Sequence, residues 1–379
     1  MTHNKSENVF NSPLRVLPAR VRRTYRGGSA IDDWHGDKQA EDSNMPEEWL
    51  VSATSAVNPG FPFIQNEGLS TVICGTDKHV LLRDLIEAAP ESMLGAKHVE
   101  RHGMQMGVLV KLIDSAERLS IQVHPDKVFA KRYFDSDFGK TECWHILKTR
   151  KVNGEEPYLL MGFRPGVTRE HWQEMFQRQD IHAMADCLNS VIPKAGDTYL
   201  IPGGLPHAIG PGCFLVEIQE PTDLTLRSER TMQDGTPIPD KLVFQGLGEE
   251  LLMDCFHYEV MNETALQLHH ESVRFPGGSV YSPLASQEDT PCFSIERVAC
   301  KEPLSFTAPE FSILAVLSGG GTINSDNNHS LPVKKGDQFF CPVATKGFTV
   351  NGKTEDELEF ILCHPPGAIV CPPNLKQIT

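Results

Sequence analysis

The stretch Gly196-Asp197-Thr198-Tyr199-Leu200-Ile201-Pro202-Gly203-Gly204-Leu205-Pro206-His207 decides how this chain is read. Gly-Asp makes a turn into a short apolar run, which Pro202 ends. Pro and two Gly residues make a second tight corner, and a histidine is delivered on the strand that follows. The spacing is G-x5-P-x-G-x2-H. Part of the pattern recurs. Lys194-Ala195-Gly196-Asp197 and Lys334-Lys335-Gly336-Asp337 each precede an apolar run, with proline six residues after the glycine (Pro202, Pro342). Two related β barrels are expected, with a boundary near residue 265. Past Pro342 comes VATKGFTV, with no histidine, so the second unit is expected to lack metal ligands.

Working outward, ten short runs read as strands. They are Met106 to Ile113, Leu119 to His124, Cys143 to Lys148, Tyr158 to Phe163, Thr198 to Pro202, Phe214 to Gln219, Phe293 to Val298, Phe311 to Leu317, Gln338 to Pro342 and Leu358 to Cys363. Runs at this spacing, with 30 Gly and 27 Pro spread between them, indicate a mainly β chain. Two stretches read as helices: Val80 to Ala89, and Thr168 to Val191, which opens on a capping residue. The second predicts a small helical insertion, about 165–192, in a first domain spanning 1–265. Residues 266–379 form the second β domain.

Composition bounds the function. The 379 residues are 40% hydrophobic and carry a formal net charge of -15. That argues against nucleic acid or an anionic membrane as partner, while a few local cations still allow an anionic small substrate. The ten cysteines form no C-x-x-C pair and read as reduced, buried thiols. No apolar run approaches a membrane span of about 20 residues, and the first residues lack a secretory core. A cytoplasmic protein, monomer or homodimer, is expected.

The chemistry begins at Ser120-Ile121-Gln122-Val123-His124-Pro125-Asp126-Lys127. On a strand, Ser120, Gln122 and His124 share a face. In Gly139-Lys140-Thr141-Glu142-Cys143-Trp144, Lys140 and Glu142 likewise share one. Singly, each reads as a solvated polar pair.

Together and in this order with the G-x5-P-x-G-x2-H stretch, these motifs resemble the type I mannose-6-phosphate isomerase family, within the cupins. The resemblance implies two jelly-roll β barrels and one zinc per chain. Matched residue by residue, it implies Gln122, His124, Glu142 and His207 as metal ligands, a mixed O/N set that also suits other divalent ions. It further maps Lys111, Ser120 and Lys140, and, through F-L-V-E-I-Q-E-P-T-D-L-T-L-R, Glu217 and Arg227. Lys140, Glu217 and Arg227 are the expected catalytic residues. Lys111 and Ser120, with Lys140, are the candidates to face a phosphate. Near the N-terminus, Arg22 to Gly28 and Glu48-Trp49-Leu50-Val51-Ser52 resemble two further family segments. There Arg26 stands where Trp is usual, and Thr54 where His is usual.

The implied reaction interconverts mannose 6-phosphate and fructose 6-phosphate through an enediol. A divalent ion and Arg227 would stabilise its developing charge. A water on the metal, Glu217 and His207 are the candidate bases. An isomerase of another, even unphosphorylated, sugar would keep the metal set. A non-catalytic sugar-binding cupin would lack part of the constellation. An iron dioxygenase would want H-x-H where Gln122 stands.

Overall fold

The computed structural model describes residues 10–58, 61–75, 78–261, 263–307, 309–325, 329–353, 357–368, 370 and 372–375. Among these, the strands form four antiparallel sheets, and no sheet closes on itself. The mainly β expectation holds. In place of the two expected jelly-roll barrels, the described strands make two pairs of facing sheets, none of them closed.

Stacking explains the sequence pattern. A six-stranded sheet is ordered Thr198–Ile201, Glu142–Thr149, Cys213–Gln219, Leu109–Asp114, Glu47–Leu50, Arg20–Val21. One of its faces, with Ile113, Trp144, Ile146, Tyr199, Ile201 and Leu215, packs on Leu159, Met161 and Ile209 of a five-stranded sheet. That second sheet is ordered Leu188–Val191, Leu159–Phe163, His207–Ile209, Gln122–Val123, Leu226–Arg227. The opposite face, with Val110, Leu112, Cys143, Val216 and Ile218, packs on a nine-stranded sheet through Ile295, Ile313, Phe340 and Ile361. The nine-stranded sheet covers a last five-stranded sheet through Phe306, Val316, Phe339, Phe348 and Phe360. Inner strands are therefore apolar on both faces and read as continuous apolar runs rather than alternating ones.

The nine-stranded sheet joins the two halves of the chain. Leu14–Val16, Thr71–Cys74 and Lys78–Leu81 lie early in the sequence, yet they extend a sheet built from residues after 273. The repeated turn is the same structure twice. Lys194 N donates to Asp197 Oδ2 at 2.8 Å, and Lys334 N to Asp337 Oδ2 at 2.9 Å. Gly196 (φ 96°) and Gly336 (φ 91°) both sit in the left-handed region.

The helical expectation between 168 and 191 becomes two helices, Arg169–Arg178 and Ile181–Asp186, followed by the strand Leu188–Val191. Gln179 turns left-handed (φ 51°) between the helices, and the Asp180 side chain caps the second. Trp172, Met175, Phe176 and Met184 bury Ile121, Val123, Ala208 and Leu226, the outer face of the site-bearing sheet. Asp240–Phe244 and Glu249–Cys255 complete that cover. The other expected helix is shorter than read, Leu82–Ala88, because Val80 is still in a strand. No helix of the described residues is long and apolar enough to cross a membrane.

Candidate metal centre and active site

The site occupies one end of the gap between the six-stranded sheet and its five-stranded partner. Along the inward face of Glu142–Thr149 the order is Glu142, Trp144, Ile146: charged, then amphipathic, then apolar. On Cys213–Gln219 it is Leu215 then Glu217, and on Leu109–Asp114 it is Ile113 then Lys111. The apolar end is core and the polar end is the site. Trp49, Lys111, Glu217 and Trp144 are direct neighbours in register across four strands. Opposite them, Gln122 is paired to His207 on one side and Arg227 on the other.

Three motif segments are held together by backbone contacts that only glycine permits. A Cβ on Gly203 would lie 2.6 Å from Asp126 Cα, and one on Gly139 would lie 2.7 Å from Pro125 O. Gly204 N donates to His124 O at 2.7 Å, and Lys140 N to Pro125 O at 3.0 Å. The tight corner before His207 is thus seated on the segment that follows His124.

His124, Glu142 and His207 are each about 1% exposed, and their ligand atoms all lie within 4.8 Å of one another. His124 Nδ1 contacts Leu224 O at 2.8 Å, and His207 Nδ1 contacts Leu205 O at 2.9 Å. A carbonyl only accepts, so both Nδ1 atoms carry hydrogen and both Nε2 lone pairs point inward. Burial keeps both imidazoles well towards neutral, and Lys140 pushes His124 the same way. The 3.0 Å contact between His124 Nε2 and Glu142 Oε1 is therefore lone pair against lone pair, not an ion pair. The Gln122 amide lies 3.2 Å from His207 Nε2 and 3.5 Å from His124 Nε2, and a half-turn presents its oxygen there. Inward lone pairs on two orientated imidazoles, a carboxylate and an amide fit a divalent cation such as zinc.

The other expected residues surround this centre. Lys140 Nζ lies 3.2 Å from His124 Nε2, 3.4 Å from Glu142 Oε1 and 3.3 Å from Thr225 Oγ1. Lys111 Nζ donates to Glu217 Oε1 at 2.9 Å and sits 5.5 Å over the Trp49 ring. Burial and the nearby Glu142 raise the Glu217 pKa, against the pull of Lys111 and Lys140. Arg227 donates to Leu242 O (2.7 Å) and Thr225 O (3.3 Å). Burial lowers the Arg227 pKa to about 10. Ser120, Gln122, Lys111, Lys140, Glu142, Glu217 and Arg227 all line one cavity of about 280 Å³, near the lower end of small-molecule sites at roughly 300–1,000 Å³. Lys111 is paired with Glu217 and Lys140 with Glu142, and both ammonium groups line the cavity. Ser120, Arg227 and Lys241 line the same cavity.

Sequence reasoning missed part of the wall. Arg23 lies 3.0 Å from Glu47 and 3.4 Å from Asp223, and Tyr25 Oη and Trp49 Nε1 donate to Glu47 at 2.8 and 2.9 Å. The segment read from Glu48 is shifted by one, because strand alternation turns Glu47 and Trp49 to the site. Glu48 faces the nine-stranded sheet, against His35 and Gln338. Arg26 points away from the cavity, to Asp42 O. Ser52 and Thr54 close a local turn instead of lining the cavity. Arg23 and Tyr25 of the same segment do line the cavity. The signal that could have found them is the inward alternation of the RRTYRGG and EEWL segments.

Comparison with known proteins agrees with this geometry. The family model for the phosphomannose isomerase type I catalytic domain matches residues 66–142, and that for the mannose-6-phosphate isomerase cupin domain matches residues 287–364. Mannose-6-phosphate isomerase ManA of Bacillus subtilis is 27% identical over 92% of this chain and 98% of its own. The Streptococcus mutans mannose-6-phosphate isomerase is 27% identical over 92% of this chain and 97% of its own. The crystal structure of the mannose 6-phosphate isomerase from Bacillus subtilis superposes with a TM-score of 0.72, at 25% identity, over 93% of this chain and 99% of that one. The resemblance read from the motifs is therefore borne out, the type I catalytic model matching within it and mannose-6-phosphate isomerases aligning with over nine-tenths of the chain, and with it the expectation of an isomerase enzyme.

Proposed function

We propose that this chain is a zinc-dependent aldose-ketose isomerase that interconverts mannose 6-phosphate and fructose 6-phosphate through an enediol. The observation that carries the reading is the grouping of His124, Glu142 and His207, their ligand atoms within 4.8 Å of one another and the Gln122 amide 3.2 Å from His207 Nε2, beside a cavity lined by Glu142, Glu217 and Arg227. A related fold with a different sequence, 16% identical, is described as a zinc-bound mannose 6-phosphate isomerase. Bound zinc would supply Lewis-acid stabilisation of charge on the substrate oxygens.

The chain's own groups divide the remaining work. Glu217, its pKa raised by burial and by Glu142, is the candidate to move the proton between C1 and C2. Lys111 holds one of its oxygens and keeps the carboxylate ionised often enough to act as a base. Lys140, between His124 and Glu142, offers positive charge beside the sugar oxygens. Arg227, lining the same cavity, adds positive charge for the developing enediol, and Ser120 is a candidate to face the phosphate.

Charge supports a phosphorylated substrate. The cavity wall carries five cations (Arg23, Lys111, Lys140, Arg227, Lys241) against four anions (Glu47, Glu142, Glu217, Asp223). A divalent ion raises that balance from +1 to +3, which suits a dianionic phosphate in a chain of net charge -15. Each pair of facing sheets is read as one cupin unit, the first holding the metal and the second, from about residue 266, without ligands.

Metal analysis followed by a coupled assay over a panel of free and phosphorylated sugars tests the reading. Turnover of mannose 6-phosphate, dependent on zinc and far above that of free mannose, is the expected result. Turnover of a free sugar alone would replace the substrate, and metal without any turnover would leave a binding protein.

A further inference from the structure

Trp144 begins a core strand, as its sequence context predicts, but its indole N–H reaches beyond the core. Its Nε1 lies 3.1 Å from Glu142 Oε2 and 3.0 Å from Glu217 Oε2. The edge of the indole meets the His207 ring at 5.5 Å and 74°. The rest of the ring is fully buried among Ile113, Ile146, Met161 and Tyr199. One side chain thus touches two expected metal ligands and the candidate base.

We propose that Trp144 is a positioning residue of the isomerase site, whose single indole N–H is shared between the ligand Glu142 and the base Glu217 and fixes both. The proposal rests on the functional reading above. Two carboxylates this close, in a site largely closed to water, repel each other unless something positive lies between them. Glu142 is two residues before Trp144 on the same strand face, and Glu217 is its direct neighbour across the ladder. The N–H therefore points between the two acidic groups by strand geometry alone.

The chemistry favours tryptophan at this point. Its N–H donates and never accepts, and the group does not titrate. Histidine could turn a lone pair towards the acids, and tyrosine could lose its proton. Glu217 then has one donor on each oxygen, Lys111 on Oε1 and Trp144 on Oε2, and its orientation is set from both sides. Glu142 keeps Oε1 turned to His124 while Trp144 holds Oε2. Groups that orient ligand carboxylates in this way are commonly worth about 10–100-fold in metal affinity. A purely packing role predicts instead that any aromatic ring of similar size would serve.

The test is Trp144→Phe, which keeps an aromatic ring but removes the N–H and some buried volume, compared with Ile146→Val, which removes volume alone two residues along the same inward face. Zinc affinity is read by chelator competition on metal-free protein, and kcat and KM with mannose 6-phosphate. Trp144→Phe is expected to lose about 10-fold or more in zinc affinity and about 10-fold or more in kcat, with KM within about threefold, because the interaction lost orients the reacting groups. Ile146→Val is expected to leave both unchanged. Zinc affinity and kcat of Trp144→Phe within about twofold of the parent would overturn the proposal, as would a change in only one of them. If Trp144→Phe does not fold, the Trp144 indole resonance of the unaltered protein decides. It is expected to shift when zinc is added, and an unmoved resonance overturns the proposal. Absence of turnover in the parent would count against the functional reading alone, since the zinc measurements stand without it.

Discussion

Lys111→Met removes the ammonium from a pair in which both side chains are only 4% exposed, leaving Glu217 beside Glu142 with no cation in contact. At 2.9 Å the direct attraction is about 6 kcal/mol at an effective dielectric of ~20. Desolvation offsets much of that, and removing one partner of a buried pair costs roughly 3–5 kcal/mol. Glu217 has an escape, which is to fold protonated. From an unperturbed glutamate pKa of about 4.3, holding the proton at pH 7 costs about 3.7 kcal/mol, and this caps the loss. The sign of the pH dependence follows. In the variant the folded carboxyl keeps its proton after the unfolded one has lost it, so stability falls as pH rises above about 4.3, by roughly 1.4 kcal/mol per unit. Lys111→Met is therefore expected to lose about 3 kcal/mol at pH 7 and about 1 kcal/mol at pH 5. Adding Glu217→Gln should restore most of it, giving a coupling of about 2 kcal/mol in the double-mutant cycle. Urea unfolding of the metal-free proteins at both pH values measures all of this. A loss below about 1 kcal/mol at pH 7, or one independent of pH, would refute the buried-pair account.

Two further outcomes follow from the same coordinates. His145 is 1% exposed, and its Nε2 has no hydrogen-bond partner among the described residues; burial, and Arg297 after it, push its pKa down to about 4. The unfolded state binds that proton from about pH 6.5 downward, so the protein should lose about 2 kcal/mol between pH 6.5 and 5, and His145→Gln should flatten this slope. An unchanged slope in the variant's urea midpoints would refute it. Arg227→Ala should leave zinc stoichiometry unaltered while lowering kcat/KM for mannose 6-phosphate about 100-fold or more. Equal losses of metal and rate would make Arg227 a structural residue.

The metal motif was legible because its physics is local. Strand alternation puts Gln122 beside His124, and the Pro-Gly-Gly corner delivers His207, while the close approaches at Gly139 and Gly203 came only with the structure. Strand positions were legible for the same reason, as in Glu142–Thr149 against the expected Cys143 to Lys148. What could not be read was pairing between distant segments. Nothing local says that Leu14–Val16 adds to a sheet formed by Gln338–Cys341, or that Lys111 meets Glu217, 106 residues away. That second contact gives Lys111 a carboxylate partner that no local pattern announces. Glu47 was missed by a one-residue frame, which on a strand exchanges the two faces completely. Trp144 was hidden because an aromatic residue in a β run carries the same letter whether it fills a core or orients an acid.

The most direct test of the account is zinc binding to metal-free protein, measured by titration for the unaltered chain and for His124→Ala. One zinc per chain, with binding abolished or weakened by orders of magnitude in the variant, is the predicted result. Undiminished zinc binding by His124→Ala, or none by the unaltered chain, would contradict the metal centre on which the proposed reaction depends.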